Sequence, residues 1–476
     1  MTLSRRLAAG LAVVALVASA PAALAGNPFA KSTTTAGGYQ TWDSDLIDVE
    51  QVPQTGAGVY IAVLDTGLAP NWTDYFPKER VRTDLGTGFE QQVNFKAATD
   101  GKDPCGVEVE KGQLHQTSWV GSRGSTHGTH VTSTILGYSY ASNFDALAGF
   151  PLPAIQVRGI APDATVIPVK VLADYQVPAL PQCPDPALQK QGLVVFGTDE
   201  MVAAGIRYVT SLKQGVLAGS PVVINMSLGG PELAQVEKDA IDGAIAAGVI
   251  IVASAGNEGA AGMGFPGAYA PVISVGSAGW DREWLDDPLV KVAPANGSRY
   301  RMWWLQNTLG NGTAGTLEPP LHPRSGEVLD PTPVDQVYVS DFSSRELAGQ
   351  DLDVLAPGSW VRGPFPGDGN YAHLPWWSRG IGDIVGGNPG NFYYVGGTSM
   401  ASPHVASLAA LALQKDSTLT PAQMETLLES TATAIPAGTT QVWDISPTPA
   451  WYTLTWGADA TGSGLVNAKA LITAVP

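Results

Sequence analysis

Ser399 stands in GGTSMASPHVASLAALALQ, where a glycine pair and a polar triplet run into an alanine- and leucine-rich helix. His127 and His130 stand in STHGTHV, Asp65 ends the apolar run VYIAVL, and Asn257 follows VIIVASAG. A hydroxyl is a weak nucleophile at neutral pH and needs an imidazole to take its proton; the imidazole needs a carboxylate to fix its tautomer and stabilise its charged form. The oxyanion formed on attack needs preorganised hydrogen-bond donors. Ser399, His127, Asp65 and Asn257 supply one of each. Two plainer readings stand beside this one. Ser399 serves equally well as an N-cap whose oxygen accepts an orphan amide hydrogen. Histidines three apart on a helix can share a metal ion, although no carboxylate or cysteine stands beside His127 and His130 at ligand spacing.

Such residues work only if the fold gathers them. Short β-branched runs recur from Val59 onward: VYIAVL to Leu64, TVIPVKVL over Thr165 to Leu172, VVINM over Val222 to Met226, VIIVA over Val249 to Ala253 and VISV over Val272 to Val275. Their near-continuous apolar character predicts strands buried on both faces. Helical patterns lie between them. One opens with Pro231 in its first turn, presents Leu233, Val236, Ile241, Ala244 and Ile245 on one face and stops at Gly248; another spans about Asp199 to Leu212. A third has Thr420 as cap and Pro421 in its first turn. The alternation predicts an α/β fold of three layers, an open and mostly parallel sheet with helices on both faces. In such sheets, sites gather beyond the carboxyl ends of the strands, where Asp65, Ser227-Leu228-Gly229 and Asn257 fall.

Long Gly-, Pro- and Trp-rich stretches near 76–120, 137–157, 279–335 and 359–392 read as loop insertions on a single domain over 26–476. Residues 1–25 read as a secretory signal, with Arg5 and Arg6, an apolar run from Leu7 to Val17 and Ala23-Leu24-Ala25 before Gly26. The expected location of the mature protein is therefore extracellular or in the cell envelope, by an export route left open. No later segment is apolar for long enough to span a bilayer, so no membrane association is expected after signal removal. The formal charge of −17 repels phosphate backbones, and no basic run offsets it, so nucleic acid is not an expected partner. The two cysteines, Cys105 and Cys183, lie in proline-containing stretches. In an exported chain they are expected to form a disulfide. Closing that loop stabilises by roughly 4 kcal/mol in the chain-entropy model.

The blocks VYIAVLDTG, STHGTHV, INMSLGG, VASAGNEG and GGTSMASPHVA resemble, in order, the sequence blocks of the subtilisin-like serine peptidases. The likeness runs from about Trp42 to the terminal GSGLVNAKAL, between insertions. It implies that Ser399 attacks a peptide carbonyl, that His127 takes and returns the proton, and that Asp65 orients His127. It implies too that Asn257 and the backbone amide of Ser399 hold the oxyanion, a contribution of roughly 3 to 4 kcal/mol. Ser227, Leu228 and Gly229 are then an extended segment that pairs with substrate backbone. Gly264, otherwise a turn glycine, is the floor of a pocket for a large apolar side chain before the cut. The implied activity is a secreted serine endopeptidase of broad specificity acting on peptides or proteins, with no cofactor for catalysis. The alternatives are a narrow-specificity processing peptidase, an acyl-transferring or cyclising relative and, less well supported, an inactive peptide-binding scaffold.

Three features depart from the family pattern. The span from Gly26 to Asp65 is too short for a folding propeptide as well as the family's leading elements. Unaided folding, or a separate folding assistant or inhibitor, is expected instead. Structural calcium is common in the family, and Asp74 follows Asp65 at a suggestive distance, but YSYASNFDALAGFPLPAIQ replaces the loop that completes such a site and no ligands are assigned. Asp65 and His127 are 62 residues apart, wider than in compact members, so Cys105 rides on added chain. The stretch ending in WWSRGIGDIVGGNPGNFYY precedes the nucleophile and is expected to overhang the cleft. Oligomeric state is left open.

Overall fold

The computed structural model describes residues 32–38, 40–97, 105–121, 125–140, 143–145, 150–152, 155–184, 189–190, 192–280, 284–285, 300–301, 334–366, 392–444 and 450–476. The signal reading of 1–25, most of the stretches 279–335 and 359–392, and the expected overhang lie outside the described residues. In chain order, the elements that matter here are α1 (Trp42–Asp45), β1 (Tyr60–Asp65), β2 (Thr87–Ala97), β3 (Val107–Thr117), α2 (Ser125–Leu136), β4 (Thr165–Lys170), β5 (Ala173–Val177) and β6 (Gly192–Phe196). They continue with α3 (Asp199–Gln214), β7 (Val222–Met226), α4 (Gln235–Ala246), β8 (Ile250–Ser254), β9 (Ile273–Trp280), β10 (Val337–Val339), β11 (Val354–Pro357), α5 (Thr398–Lys415) and α6 (Pro421–Thr431).

The expected open sheet forms. Its order is β10-β9-β8-β7-β1-β4-β2-β3, with β11 also paired to β9. The pairs among β1, β4, β7, β8, β9 and β11 are parallel, whereas β10 on β9 and β3 on β2 are antiparallel. The strand β1 lies between β4 and β7, so the chain winds first to one side of β1 and then to the other. In open α/β sheets such a reversal is where binding sites form, here at the carboxyl ends of β1 and β7.

Side chains alternate across each strand. Ile61, Val63, Val223 and Val252 join one buried cluster with Val131 and Ile135 of α2 and Val405 and Leu408 of α5. Ala62, Leu64, Ile224 and Ile251 join the opposite one with Ile206 and Val209 of α3 and Ile241 and Ala244 of α4. The sheet is thus covered on both faces. Among the described residues, no helix is long and apolar enough to cross a membrane.

Two local expectations need correcting. Pro231 does not open α4, which begins at Gln235 after an irregular turn with Ala234 at its N-cap. The stretch 76–120 is more than loop: it holds the β2–β3 hairpin, which extends the sheet beyond β4. The strand β3 is exposed along its length and lacks the apolar alternation that marks a half-buried strand. Similarly, 137–157 holds two small hairpins, Gly137–Tyr140 on Ile155–Arg158 and Asn143–Asp145 on Phe150–Leu152. Cys105, before β3, and Cys183, between β5 and β6, are joined by a disulfide. Between β2 and the strands β5 and β6, Phe95 meets Tyr175 and Phe196 edge-to-face, with centroids 6.1 and 5.6 Å apart.

Candidate active site

Asp65 has the parity of Ile61 and Val63, so it ends β1 on the face covered by α2 and α5. It is fully buried. Its Oδ1 accepts the N–H of Thr66 at 2.6 Å and the Nδ1–H of His127 at 2.8 Å, and its Oδ2 lies 3.0 Å from the same ring nitrogen. A carboxylate only accepts, so Nδ1 carries the hydrogen and Nε2 is the basic nitrogen of the neutral ring. The ring is 20% exposed. Burial disfavours its charged form, but the charge of Asp65 and its hydrogen bond outweigh that and hold the His127 pKa above the ordinary histidine value.

The close seat of α2 on β1 has local causes. Gly67 turns the chain at φ +80°, and a Cβ on Gly128 would run into the Gly67 carbonyl oxygen. Thr66 Oγ1 accepts the Gly128 N–H at 2.9 Å, and Thr129 Oγ1 accepts the Ala69 N–H at 2.9 Å. His130 serves a different partner from His127: it is wholly buried, with Nε2 3.1 Å from the Val361 carbonyl oxygen. The two histidines therefore do not form the metal pair considered from spacing.

Ser399 is the second residue of α5 and is not its N-cap, which is Gly397. The capping work falls to Asn257, whose Oδ1 accepts the Thr398 N–H at 2.9 Å and the Thr398 hydroxyl at 3.1 Å. An orphan amide at the helix start is satisfied from another loop, and the serine side chain is released. With Oδ1 occupied, the Nδ2 end of Asn257 is the one left to donate. Ser399 Oγ–H donates to the Ser227 carbonyl oxygen at 3.2 Å, and Ser227 Oγ–H donates to the Ser399 carbonyl oxygen at 2.7 Å. Among the described residues no hydrogen bond joins Ser399 to His127. The two residues belong to helices packed against each other, over the neighbouring strands β1 and β7.

Gly229 and Gly264 also come together. Gly230 and Phe265 exchange backbone hydrogen bonds at 2.8 Å in each direction, so the segment from Ser227 to Gly230 lies alongside Gly264. A Cβ on Gly264 would lie 3.3 Å from the Gly230 carbonyl oxygen and 3.9 Å from the Gly229 Cα, so the two backbones approach closely there. Leu228 packs its side chain against the cluster of α3 and α4, and its carbonyl oxygen accepts the Ser254 hydroxyl at 3.2 Å.

Two polar residues beneath the site carry no motif that marks them in the sequence. Asn225 and Ser402 are fully buried and hydrogen-bonded to each other at 2.8 Å. The signal for Asn225 was a polar residue inside the apolar strand VVINM. Away from the site, Asp351, Asp353 and Glu425 bring ligand oxygens within 4.8 Å of one another, whereas Asp74 belongs to no such group among the described residues. Asp353 is 1% exposed; its Oδ2 accepts from Ser274 N–H at 2.6 Å and from the Ser274 hydroxyl at 2.8 Å, and its Oδ1 has no hydrogen-bond partner. Burial pushes the Asp353 carboxyl up to about 7 against the pull of Ser274, with Glu425 and Asp351 adding to the rise.

A profile of the subtilase family matches residues 56–446. Subtilisin E of Bacillus subtilis (strain 168) is 28% identical over 314 residues, covering 65% of this chain and 51% of that protein. The chain thus spans about half the length of that relative. Subtilisin Savinase of Lederbergia lenta is 26% identical over 419 residues, covering 87% of this chain and 91% of that protein. Among solved structures, S41 psychrophilic protease is similar at 22% identity, with 91% of this chain and 99% of that one covered and a TM-score of 0.49. Sphericase is similar at 22% identity, with 90% and 97% covered and a TM-score of 0.49. With so much of its length matched by the family profile, this chain belongs to the subtilase family.

Proposed function

We propose that the protein is a secreted serine endopeptidase, one peptidase domain behind a signal peptide, that cleaves peptides and proteins broadly with an apolar preference before the cut. The observation that carries the reading is the hydrogen bond from His127 Nδ1 to buried Asp65, which leaves Nε2 as a base beside the helix that bears Ser399. In the reaction the Ser399 hydroxyl turns from the Ser227 carbonyl oxygen to Nε2, gives up its proton and attacks the scissile carbonyl carbon. The Nδ2 of Asn257 and the N–H of Ser399 then face the developing oxyanion, aided by the positive end of α5. His127 returns the proton to the leaving amine, and water repeats the sequence on the acyl-enzyme. The backbone from Ser227 to Gly229 pairs with the substrate strand, and Gly264, as the floor of the pocket before the cut, leaves room for its apolar side chain.

A structural cation has a fitting place at Asp351, Asp353 and Glu425. All-oxygen donors suit a hard ion such as calcium, and the buried Asp353 Oδ1 lacks a counter-group. No step of the reaction passes through it.

The test is to incubate the protein and its Ser399→Ala variant with unfolded casein and a serine-directed phosphonate. Cleavage and labelling are expected in the first and absent from the second. A folded wild-type protein that neither labels nor cuts, with or without calcium, would overturn the reading. Product masses separate hydrolysis, which adds water, from acyl transfer, which joins two fragments.

A further inference from the structure

Pro403 lies inside α5. A helical residue at that position normally donates its N–H to the carbonyl four residues earlier, which is that of Ser399, and proline has no N–H to give. The Ser399 carbonyl oxygen is nonetheless satisfied, by the Ser227 hydroxyl at 2.7 Å. That hydroxyl is itself held: Asn225 Nδ2 donates to Ser227 Oγ at 3.0 Å, and Asn225 Oδ1 accepts the Ser402 hydroxyl at 2.8 Å. Asn225, Ser227 and Ser402 are all nearly or wholly inaccessible to solvent.

Every hydrogen bond in this relay runs in one sense, from the Ser402 hydroxyl through the Asn225 amide and the Ser227 hydroxyl to the Ser399 carbonyl. Bonds aligned in this way polarise one another. The relay leaves α5 at Ser402, passes through β7 and returns to α5 at Ser399, so it ties the first turn of the helix to the sheet. We propose that Asn225 is a positioning residue for Ser399: by orienting the Ser227 hydroxyl it replaces the helical hydrogen bond that Pro403 removes, and so sets the backbone plane from which the nucleophile projects. Asn225 acts only through Ser227 and Ser399. This inference rests on the peptidase reading of Ser399.

The test is a mutant cycle on the full-length protein, with kcat and KM measured on an extended peptide and active sites counted with the phosphonate. Because a small displacement at a reacting atom costs up to a hundredfold in rate, Asn225→Ala is expected to lower kcat per titrated site roughly 10- to 100-fold while KM moves less than about threefold. Ser402→Ala, which removes the outer bond, is expected to cost roughly 3- to 10-fold. Pro403→Ala restores an N–H to the Ser399 carbonyl; in that background the Asn225→Ala penalty is expected to shrink at least about threefold, an interaction that general loss of packing would not produce. If Asn225→Ala does not fold, Ser402→Ala with and without Pro403→Ala carries the same comparison. The proposal is overturned if Asn225→Ala and Ser402→Ala both keep kcat within twofold of wild type, or if Pro403→Ala leaves the penalty undiminished. An active wild type with unaffected variants sinks the positioning role alone; an inert, unlabelled wild type sinks the peptidase reading and this inference with it.

Discussion

At Asp65 and His127 the chemistry is set by two opposed effects on one ring. Burial acts to strip the imidazole of its proton, and the neighbouring carboxylate acts to keep it there and prevails. On the proposed reading His127 is the base and must be neutral, so kcat/KM is expected to rise with pH through a midpoint above the ordinary histidine value of about 6.5. Asp65→Asn removes the charge and frees the tautomer. The midpoint is then expected to fall and kcat to drop roughly 10,000-fold, by analogy with the same change in serine peptidases. A pH profile with an unmoved midpoint would mean that Asp65 is not what holds the proton. The sign for stability follows from the same shift: the contribution of the pair is full below about 6.5 and is lost as pH rises through the folded-state pKa. At this scale residue types were legible and partners were less so. Ser399 was readable as a cap, yet Asn257 does that work from a loop 141 residues away in sequence. Asn225 was not legible, because one polar letter in an apolar strand does not announce where its amide points.

Elements marked by a continuous apolar run or by apolar residues at helical spacing were legible, and those with neither were not. The runs VYIAVL and VVINM are buried on both faces and pair in parallel, Tyr60 opposite Val222 and Val63 opposite Asn225. The hairpin of β2 and β3 is different, because its outer strand is solvated on both sides and is held by hydrogen bonds to its neighbour and by the disulfide. Replacing Cys105 and Cys183 together by serine is expected to lower the unfolding free energy by roughly 4 kcal/mol, the chain-entropy value for a loop of this length. Urea titration measures it, and an unchanged midpoint would show that the contacts of Phe95 with Tyr175 and Phe196 hold β2 to the antiparallel pair of β5 and β6 without it.

Across the whole molecule, negative charge is in excess, at −17, and part of it is concentrated where burial makes it costly. The Asp353 carboxyl holds its proton to about pH 7, and its neighbour Glu425 is also raised, by burial first and then by Glu429 and Asp351. An unfolded aspartate titrates near 4, so the folded state binds this proton more tightly; the associated stability is present below about pH 4 and declines as pH rises toward 7. Glu425→Gln removes one of the converging charges. Without calcium it is expected to raise Tm at pH 8 by more than at pH 5. Calcium is expected to raise the Tm of the wild type at pH 8 and to leave the variant nearly unmoved. Equal calcium responses in the two proteins would remove Glu425 from the proposed cation site.

By itself, the sequence determined the layers and the family likeness, because burial on both faces of a strand leaves a continuous apolar run and because blocks such as STHGTHV and GGTSMASPHVA keep their order along the chain. The resemblance also implied that Asp65 meets His127, 62 residues away, but tertiary structure alone decided the partners that no motif names: the orphan amide of Thr398 finds Asn257, and the carbonyl released by Pro403 finds Ser227. The physical reason is that a hydrogen bond depends on distance and direction, and both arise when the sheet reverses its winding at β1 and two helices pack over the ends of adjacent strands.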